Sequence, residues 1–547
     1  MIETDVLIVG RSLVGLSATT FLSWHGVKTL SVERHHGTAI HPRAGHFHLR
    51  TLEGLRSVGL EARVRAASEE QFDPDGGINA VESLAGKEIA TYIANLNEGV
   101  AAISPSTRLF MTQQSLEPLI RSRAEELGAA LRYATELVSF EQDADGVTGH
   151  IRNVLTGETD SVRAKYMIAA DGNRSPIRER LGISTRGPGR LAECVTIYFH
   201  ADCGGALRGR NLGVIYVFNQ DLRGFFRLVR TGDSGFLAVI TLGDMSKPDA
   251  LKVAEGITNE RCIAFVHAAI GLPDAKVEIV DIAAWRAVAE VAERFTEGRV
   301  SLVGDAAHVM PPMGGFGGNT GVQDAHNLAW KLALVLKGLA GPDLLATYNS
   351  ERQPVGELAI QQAYTRYVLR VVPERGKEGM QPLVDDLSME IGYRYHSPAI
   401  ASESGTGVAL YEDPRRSQGM PGTRAPHVPL QRGGARISTL DLFGKNFCVL
   451  AASNGVGYCD AARDAAADLG LPLDAYRVAG GENISDPDGR FADAYGLSDS
   501  GAVIVRPDGF VAWRAKDARH ASSATVSAVL RSLLCRSEQA QASVAAG

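Results

Sequence analysis

The first 33 residues restrict the chain to an architecture built on a parallel sheet. Residues 5–9 are an apolar strand, and Gly10-Arg11-Ser12-Leu13-Val14-Gly15 is a tight glycine turn. A helix then runs to about His25, Gly26 closes it, and residues 27–32 form a second strand. This is a βαβ unit of Rossmann type, and ligands of such sheets bind at the carboxyl edge of the strands. Glu33 follows the second strand, 18 positions beyond Gly15, where a ribose hydroxyl needs an acceptor. The middle position of the glycine fingerprint is Ser12. Serine is the smallest replacement where backbone must lie close to a pyrophosphate, so the motif is weakened and not lost.

A second segment, residues 298–333, reads GRVSLVGDAAHVMPPMGGFGGNTGVQDAHNLAWKLA. Residues 299–303 look like a short buried strand, and Gly304-Asp305 ends it with a carboxylate at the carboxyl edge. Pro311, Pro312 and the glycines Gly314, Gly315, Gly317 and Gly318 follow. Asn319 is expected to open a helix whose apolar face recurs at Val322, Ala325, Leu328, Ala329, Leu332 and Leu336. A glycine-lined helix start presents free N–H groups and the positive end of the helix dipole, which suits negative charge on a flat ring approached closely by backbone. A reduced flavin, anionic along its pyrimidine edge, fits. A third segment, YMIAADGNRSPIRERL at 166–181, places Asp171-Gly172 after an apolar strand, with Ser175 and Arg178 beyond. Singly, such an Asp-Gly is a turn. Its meaning comes from the order in which the three segments occur.

That ordered set resembles the class A flavoprotein monooxygenases, the para-hydroxybenzoate hydroxylase-like group, and within it the aromatic polyketide hydroxylases of the anthracycline and angucycline type, such as the aklavinone hydroxylases. The likeness spans nearly the whole chain, through HPRAGHFHLRTLE from His41, QQSLEPLI from Gln113, VDIAAWRAVAEVAERF from Val280, YNSERQPV from Tyr348 and VIVRPDGFVAWR near the end. It implies non-covalent FAD, with Glu33 on the adenosine ribose, Arg43 and Gln114 in contact with the cofactor and Asp305 on the ribityl chain. Residues 312–319, including Pro312, Gly315, Gly317, Gly318 and Asn319, should lie against the isoalloxazine. Gly10, Ser12, Gly15, Arg34 and Asp171 complete the expected cofactor set. The resemblance further implies NADPH or NADH as a transient reductant, dioxygen as co-substrate, and oxygen transfer to an aromatic ring through a flavin C4a-hydroperoxide. Arg43, whose family counterpart lies beside the flavin, should influence the ring's position. Phe316 and Gly318 stand where relatives often carry Gln and Met, and Ser12 replaces a glycine; these departures bear on the flavin's resting position.

Composition agrees. At 547 residues the chain should divide into two or three domains. A net charge of -7 provides neither a basic stripe for nucleic acid nor a polybasic patch for a membrane. No leader signature or bilayer-length apolar run is present, so a cytoplasmic enzyme is expected. Cys194, Cys203, Cys262, Cys448, Cys459 and Cys535 include no CxxC, which argues against a zinc site or dithiol couple. His35, His36, His41, His46 and His48 crowd one region without accompanying ligands at metal spacing, so they read as loop or flavin-edge histidines and no metal is expected.

The expected organisation is a Rossmann-like FAD-binding domain (1–72, 108–182 and 275–395) interleaved with an antiparallel-sheet substrate domain (73–107 and 183–274). A linker (396–436), a thioredoxin-like domain lacking CxxC (437–535) and a tail (536–547) follow. Tyr216, Phe225, Phe226 and Trp285 are the aromatic candidates for contacting a flat polycyclic substrate. No general base is evident. The protein is expected as a monomer or homodimer acting on a small polycyclic aromatic, with a role in antibiotic biosynthesis. The alternatives are a Baeyer–Villiger or ring-opening flavoenzyme, an antibiotic-inactivating hydroxylase, and a non-catalytic flavin- or drug-sequestering protein. A halogenase would need a WxWxIP segment, and Trp24, Trp285, Trp330 and Trp513 do not supply one.

Overall fold

A computed structural model describes residues 1–38, 45–241, 252–373, 376–377, 379–403, 409–479 and 484–536. Along the chain, β1 (Ile2–Val9), α1 (Leu13–Trp24) and β2 (Thr29–Val32) form the opening unit. They are followed by β3 (His46–Phe47), α2 (Leu49–Ser57), β4 (Gly77–Val81), β5 (Glu88–Ile93), β6 (Leu109–Phe110), α3 (Gln113–Glu126) and β7 (Thr159–Ala169). Next come β8 (Thr185–His200), β9 (Leu212–Phe218), β10 (Arg223–Leu228), β11 (Ser234–Ile240), α4 (Asn259–Ile270), β12 (Glu278–Ala292) and β13 (Val300–Leu302). Two long helices, α5 (Phe316–Leu336) and α6 (Ala346–Arg370), complete this part.

The first sheet has β13, β7, β1 and β2 side by side and all parallel. Its central strands are buried on both faces, as parallel strands covered by helices must be. The register aligns Val9 with Val32 and Ala169, and Ala169 with Leu302. Four strand ends are therefore level, and each of the segments singled out in the sequence leaves the sheet at this edge.

The second sheet runs β12, β8, β11, β10, β9, β4, β5 across most of its width. Over its central strands the side chains alternate between two faces. Val195, Ile197, Phe226, Leu237 and Val239 turn to one face and pack with Val266 and Phe265 of α4, while Cys194 and Ile240 join the core of the first sheet. The sheet extends further than the pattern of β-formers suggested: β12 pairs with β8 over most of its length, so residues 278–292 belong to this sheet and not to the cofactor segment beginning at 275. Its Ile and Val residues are interspersed with alanines and charges, a weaker strand signal than the continuous β-formers of the other strands.

At the C-terminus, β14 (Phe447–Ala451), α7 (Val456–Leu469), β15 (Leu473–Arg477), β16 (Ala502–Val505), β17 (Val511–Ala515) and α8 (Ser523–Leu533) form a four-stranded sheet in the order β15-β14-β16-β17. β14 and β15 are parallel and the other pairs antiparallel, the thioredoxin-like arrangement. All six cysteines are free thiols. Cys448 and Cys459 lie in different apolar clusters of this domain. No helix among the described residues is long and apolar enough to cross a membrane.

Candidate cofactor and substrate site

The glycine turn after β1 is fixed by close approach. Gly10 has φ +94°, and a Cβ there would lie 2.3 Å from the Ala170 carbonyl; one on Gly15 would lie 1.9 Å from the Gly10 carbonyl. The first and third segments of the sequence are thus in backbone contact. Glu33, at the end of β2, accepts the Arg11 backbone N–H on Oε2 at 2.8 Å and that of His35 on Oε1 at 2.9 Å. Arg34 beside it is exposed.

Ser12 has a structural explanation. Its hydroxyl donates to Glu117 Oε1 at 2.9 Å and accepts from Gln113 Nε2 at 2.7 Å. The side chain that a standard fingerprint omits is therefore tied to α3. Gln113 is buried here, whereas Gln114, the residue expected on the cofactor, is exposed. Neighbouring positions on a helix point about 100° apart, and in QQSLE the pattern alone does not separate them.

At the third edge, Asp171 accepts from the Ser175 hydroxyl at 2.6 Å and from the Ile177 N–H at 3.2 Å. Burial raises its pKa despite these donors. Arg178 reaches across to the Ala306 carbonyl at 3.0 Å, joining the DGxxSxxR segment to Gly304-Asp305. Gly304 has φ +59° and lies against Val14, and its N–H is held by Asp324 Oδ2 at 3.0 Å. Asp324, buried in α5, also takes His308 Nε2 at 2.7 Å and Arg352 Nε at 2.8 Å. Sequence reading missed Asp324; an aspartate within the apolar stretch of a helix was the available signal. Asp305 is exposed on the turn held in this way.

The helix after the glycines begins at Phe316, three residues before the expected Asn319, with Gly315 in the left-handed region as its N-cap. The first turn leaves the N–H groups of Phe316, Gly317 and Gly318 without intrahelical acceptors. Pro312, Gly315, Gly317 and Gly318 are half-buried along this start, while Phe316 is buried against His48, ring centroids 5.6 Å apart. Asn319 is a clamp within the helix. Its Oδ1 accepts from the His48 N–H (2.9 Å) and the Thr51 hydroxyl (2.7 Å), and its Nδ2 donates to the carbonyls of His46 (2.9 Å) and Gly315 (2.7 Å). The amide thereby fastens β3, and with it His46 and His48, to the glycine-rich helix start. Arg43 and His41 lie outside the described residues.

Directly paired residues share a face of a sheet, which sorts the aromatic candidates. Tyr216 pairs with Phe225, Phe225 with Ala238 and Ala238 with Thr196. Trp285 is on this same face, opposite Cys194, and its Nε1 donates to the Thr196 hydroxyl at 2.9 Å. Phe226 pairs with Ile215 and Leu237 on the other face, fully buried against the α4 side. Tyr92 meets Tyr216 edge-on at 5.6 Å, and Arg370 covers both rings, at 4.8 and 5.8 Å.

The C-terminal domain is bound to the cofactor domain through buried ion pairs. Arg506 donates two N–H groups to Glu351, which also accepts from Lys331 Nζ at 2.8 Å and Asn327 Nδ2 at 2.7 Å. Burial alone would raise the Glu351 carboxyl, but Arg506 and Lys331 outweigh it and hold it well below the usual range. Burial pushes Lys331 down to about 8. A second set joins Arg50, Glu53 and Arg424, and Arg50 also donates to the Asp508 carbonyl.

Gly10, Gly15 and Gly304 stand where a Cβ would intrude on neighbouring atoms, and the start of α5 offers free N–H groups to a flat anionic ring, so the residues present fit a dinucleotide of flavin type. The family of FAD-binding domains matches residues 3–363, and that of aromatic-ring hydroxylase C-terminal domains matches 418–536. The chain is 56% identical to 4-methyl-5-nitrocatechol 5-monooxygenase of Burkholderia sp, over 98% of each chain. It is 39% identical to aklavinone 12-hydroxylase of Streptomyces purpurascens, over 98% of this chain and 99% of that one. The solved ternary complex of aklavinone-11 hydroxylase with FAD and aklavinone superimposes with a TM-score of 0.90 at 37% identity, covering 98% of this chain and 100% of the other. The chain belongs to the family of FAD-binding aromatic-ring hydroxylases, flavoproteins that consume NAD(P)H and dioxygen.

Proposed function

We propose that this enzyme places one oxygen atom from dioxygen on a phenolic ring that docks beneath the second sheet, with NADPH or NADH as reductant. The observation that carries the reading is a chain of contacts from the cofactor edge to the aromatic face: His46 stands against Gly315 at the start of α5 and against Phe110, which clusters with Tyr216 and Phe225 of the second sheet. Bound FAD, once reduced, supplies the activation of dioxygen. The chain supplies placement and electrostatics. Glu33 would hold the adenosine ribose and Asp305 the ribityl chain, while the N–H groups at the start of α5 would stabilise negative charge on the ring system. The aromatic face would exclude water and orient the substrate. Phe226 is no part of this face.

The relative at 56% identity supports a single-ring catechol as the first substrate class, and the polyketide hydroxylases at lower identity support a polycyclic phenol as the second. The test is turnover under labelled dioxygen with substituted catechols and anthracycline aglycones. One labelled oxygen on a ring carbon is expected. A labelled lactone or an opened ring would instead favour Baeyer–Villiger or rearranging chemistry. Product without label would reject monooxygenation.

A further inference from the structure

Resting on that reading, we infer that Arg227 and His46 form an anion-accepting corner of the substrate site, which takes the ionised hydroxyl of a phenolic or catecholic ring. Arg227 is on β10 two residues beyond Phe225, hence on the same face, and is only 4% exposed. Its Nε donates to the Gly213 carbonyl at 2.9 Å and its Nη1 to the Gly45 carbonyl; among the described residues Nη2 has no acceptor and the guanidinium has no carboxylate partner. It lies over the rings of Phe72 (5.1 Å) and Phe110 (4.5 Å). A buried cation balanced only by peptide carbonyls is costly, and an anionic ligand removes that cost. Burial pushes Arg227 down to about 9, which leaves it charged at neutral pH.

His46 approaches from the cofactor side. Its ring is 5.1 Å from that of Phe110, the same ring Arg227 covers, and a Cβ on Gly315 would lie 3.4 Å from its Nδ1. The imidazole Nε2 is buried and has no hydrogen-bond partner among the described residues. Burial, then His48, Arg108 and Arg227, hold this histidine neutral, so the corner carries one positive charge, that of Arg227, together with one unused imidazole nitrogen. A singly ionised ring hydroxyl matches this: its negative oxygen faces the guanidinium and accepts a hydrogen bond from His46 in its Nε2–H tautomer. Only the hydroxyl proton leaves, to solvent, with the electron pair staying on oxygen. Such a corner favours rings whose substituents make the hydroxyl acidic, because they arrive ionised.

4-Nitrocatechol is a direct probe, since its visible absorbance reports ionisation. Titrated against the FAD-loaded enzyme across pH, the bound probe should ionise at least one pH unit lower than the free probe, a tenfold or greater preference for the anion. Arg227→Gln should abolish that preference, and Arg227→Lys, which keeps the charge, should retain most of it even if packing suffers. His46→Leu should weaken anion binding about tenfold. FAD content and thermal midpoint verify that each variant is folded. Failure of the wild type to bind the probe, or identical ionisation of bound and free probe, overturns the inference. So does an unchanged preference in a folded Arg227→Gln variant. Absence of labelled oxygen in any product would defeat the hydroxylase reading instead, because this inference is read from binding alone.

Discussion

Arg506 in the thioredoxin-like domain grips Glu351 of α6 with two N–H groups, Nη1 to Oε1 at 2.6 Å and Nη2 to Oε2 at 2.9 Å, both side chains fully buried. The neighbouring Arg352 holds Asp324, which holds the N–H of Gly304. Two consecutive residues of α6 thus serve two neighbours, one the C-terminal domain and one the cofactor edge. Arg506→Ala leaves Glu351 with Lys331 as its remaining cationic partner and strands Asp508. It should destabilise the protein by about 3–5 kcal/mol, read from denaturant unfolding. A loss below about 1 kcal/mol would contradict this account of the seam.

The same pairs set the response to acid. In Glu351, Asp324 and Asp508, burial raises the carboxyl but the facing cations outweigh it, and the pKa lies below its ordinary value. Groups depressed in the folded state stabilise fully above the unfolded pKa and lose that stabilisation as pH falls through the folded value. Stability should therefore hold from neutrality to about pH 5 and fall progressively below pH 4.5. Unfolding free energy measured across this range checks the sign. Glu351→Gln should flatten the slope.

Asn319 offers a sharper test of the cofactor edge. Asn319→Ala removes four hydrogen bonds and frees β3 from the helix start, so FAD should bind more weakly, by about 1–3 kcal/mol in calorimetry. Asn319→Asp should be worse than alanine, because a carboxylate oxygen would then face the carbonyls of His46 and Gly315 where an amide now donates.

At the glycine turn after β1, Gln113→Ala should weaken FAD binding through the Ser12–Glu117 set. Glu33→Ala should cost about 1–3 kcal/mol of FAD binding, since two backbone N–H groups lose their acceptor as well as the ribose. Affinity unchanged from the wild type in both variants would refute this arrangement.

The strand-turn segments of the cofactor edge were legible because each couples a local pattern to a backbone need: Gly10 and Gly304 occupy positive φ under close contact. Asn319 was misread because an Asn after glycines looks like a helix cap, while Gly315 performs that role through its own conformation. The face of Phe226 was beyond reach, since Phe225 and Phe226 are equivalent until register fixes which of them faces the cofactor side. The sheet membership of β12 and the Asp324–Arg352 anchor are long-range pairings that no local periodicity encodes.

The Arg506–Glu351 pairing spans 155 residues of sequence, and it sets an order of burial during synthesis. A nascent chain emerging from the ribosome carries the glycine turns of the cofactor edge and the whole parallel sheet before it carries Arg506. Until the C-terminal domain is synthesised, Trp330 of α5 lacks Phe447 and Arg506, which pack against its ring. A thioredoxin-like module without a CxxC motif thereby acts as the closing stone, and a prematurely terminated chain would present an uncovered apolar and charged surface to cellular proteases.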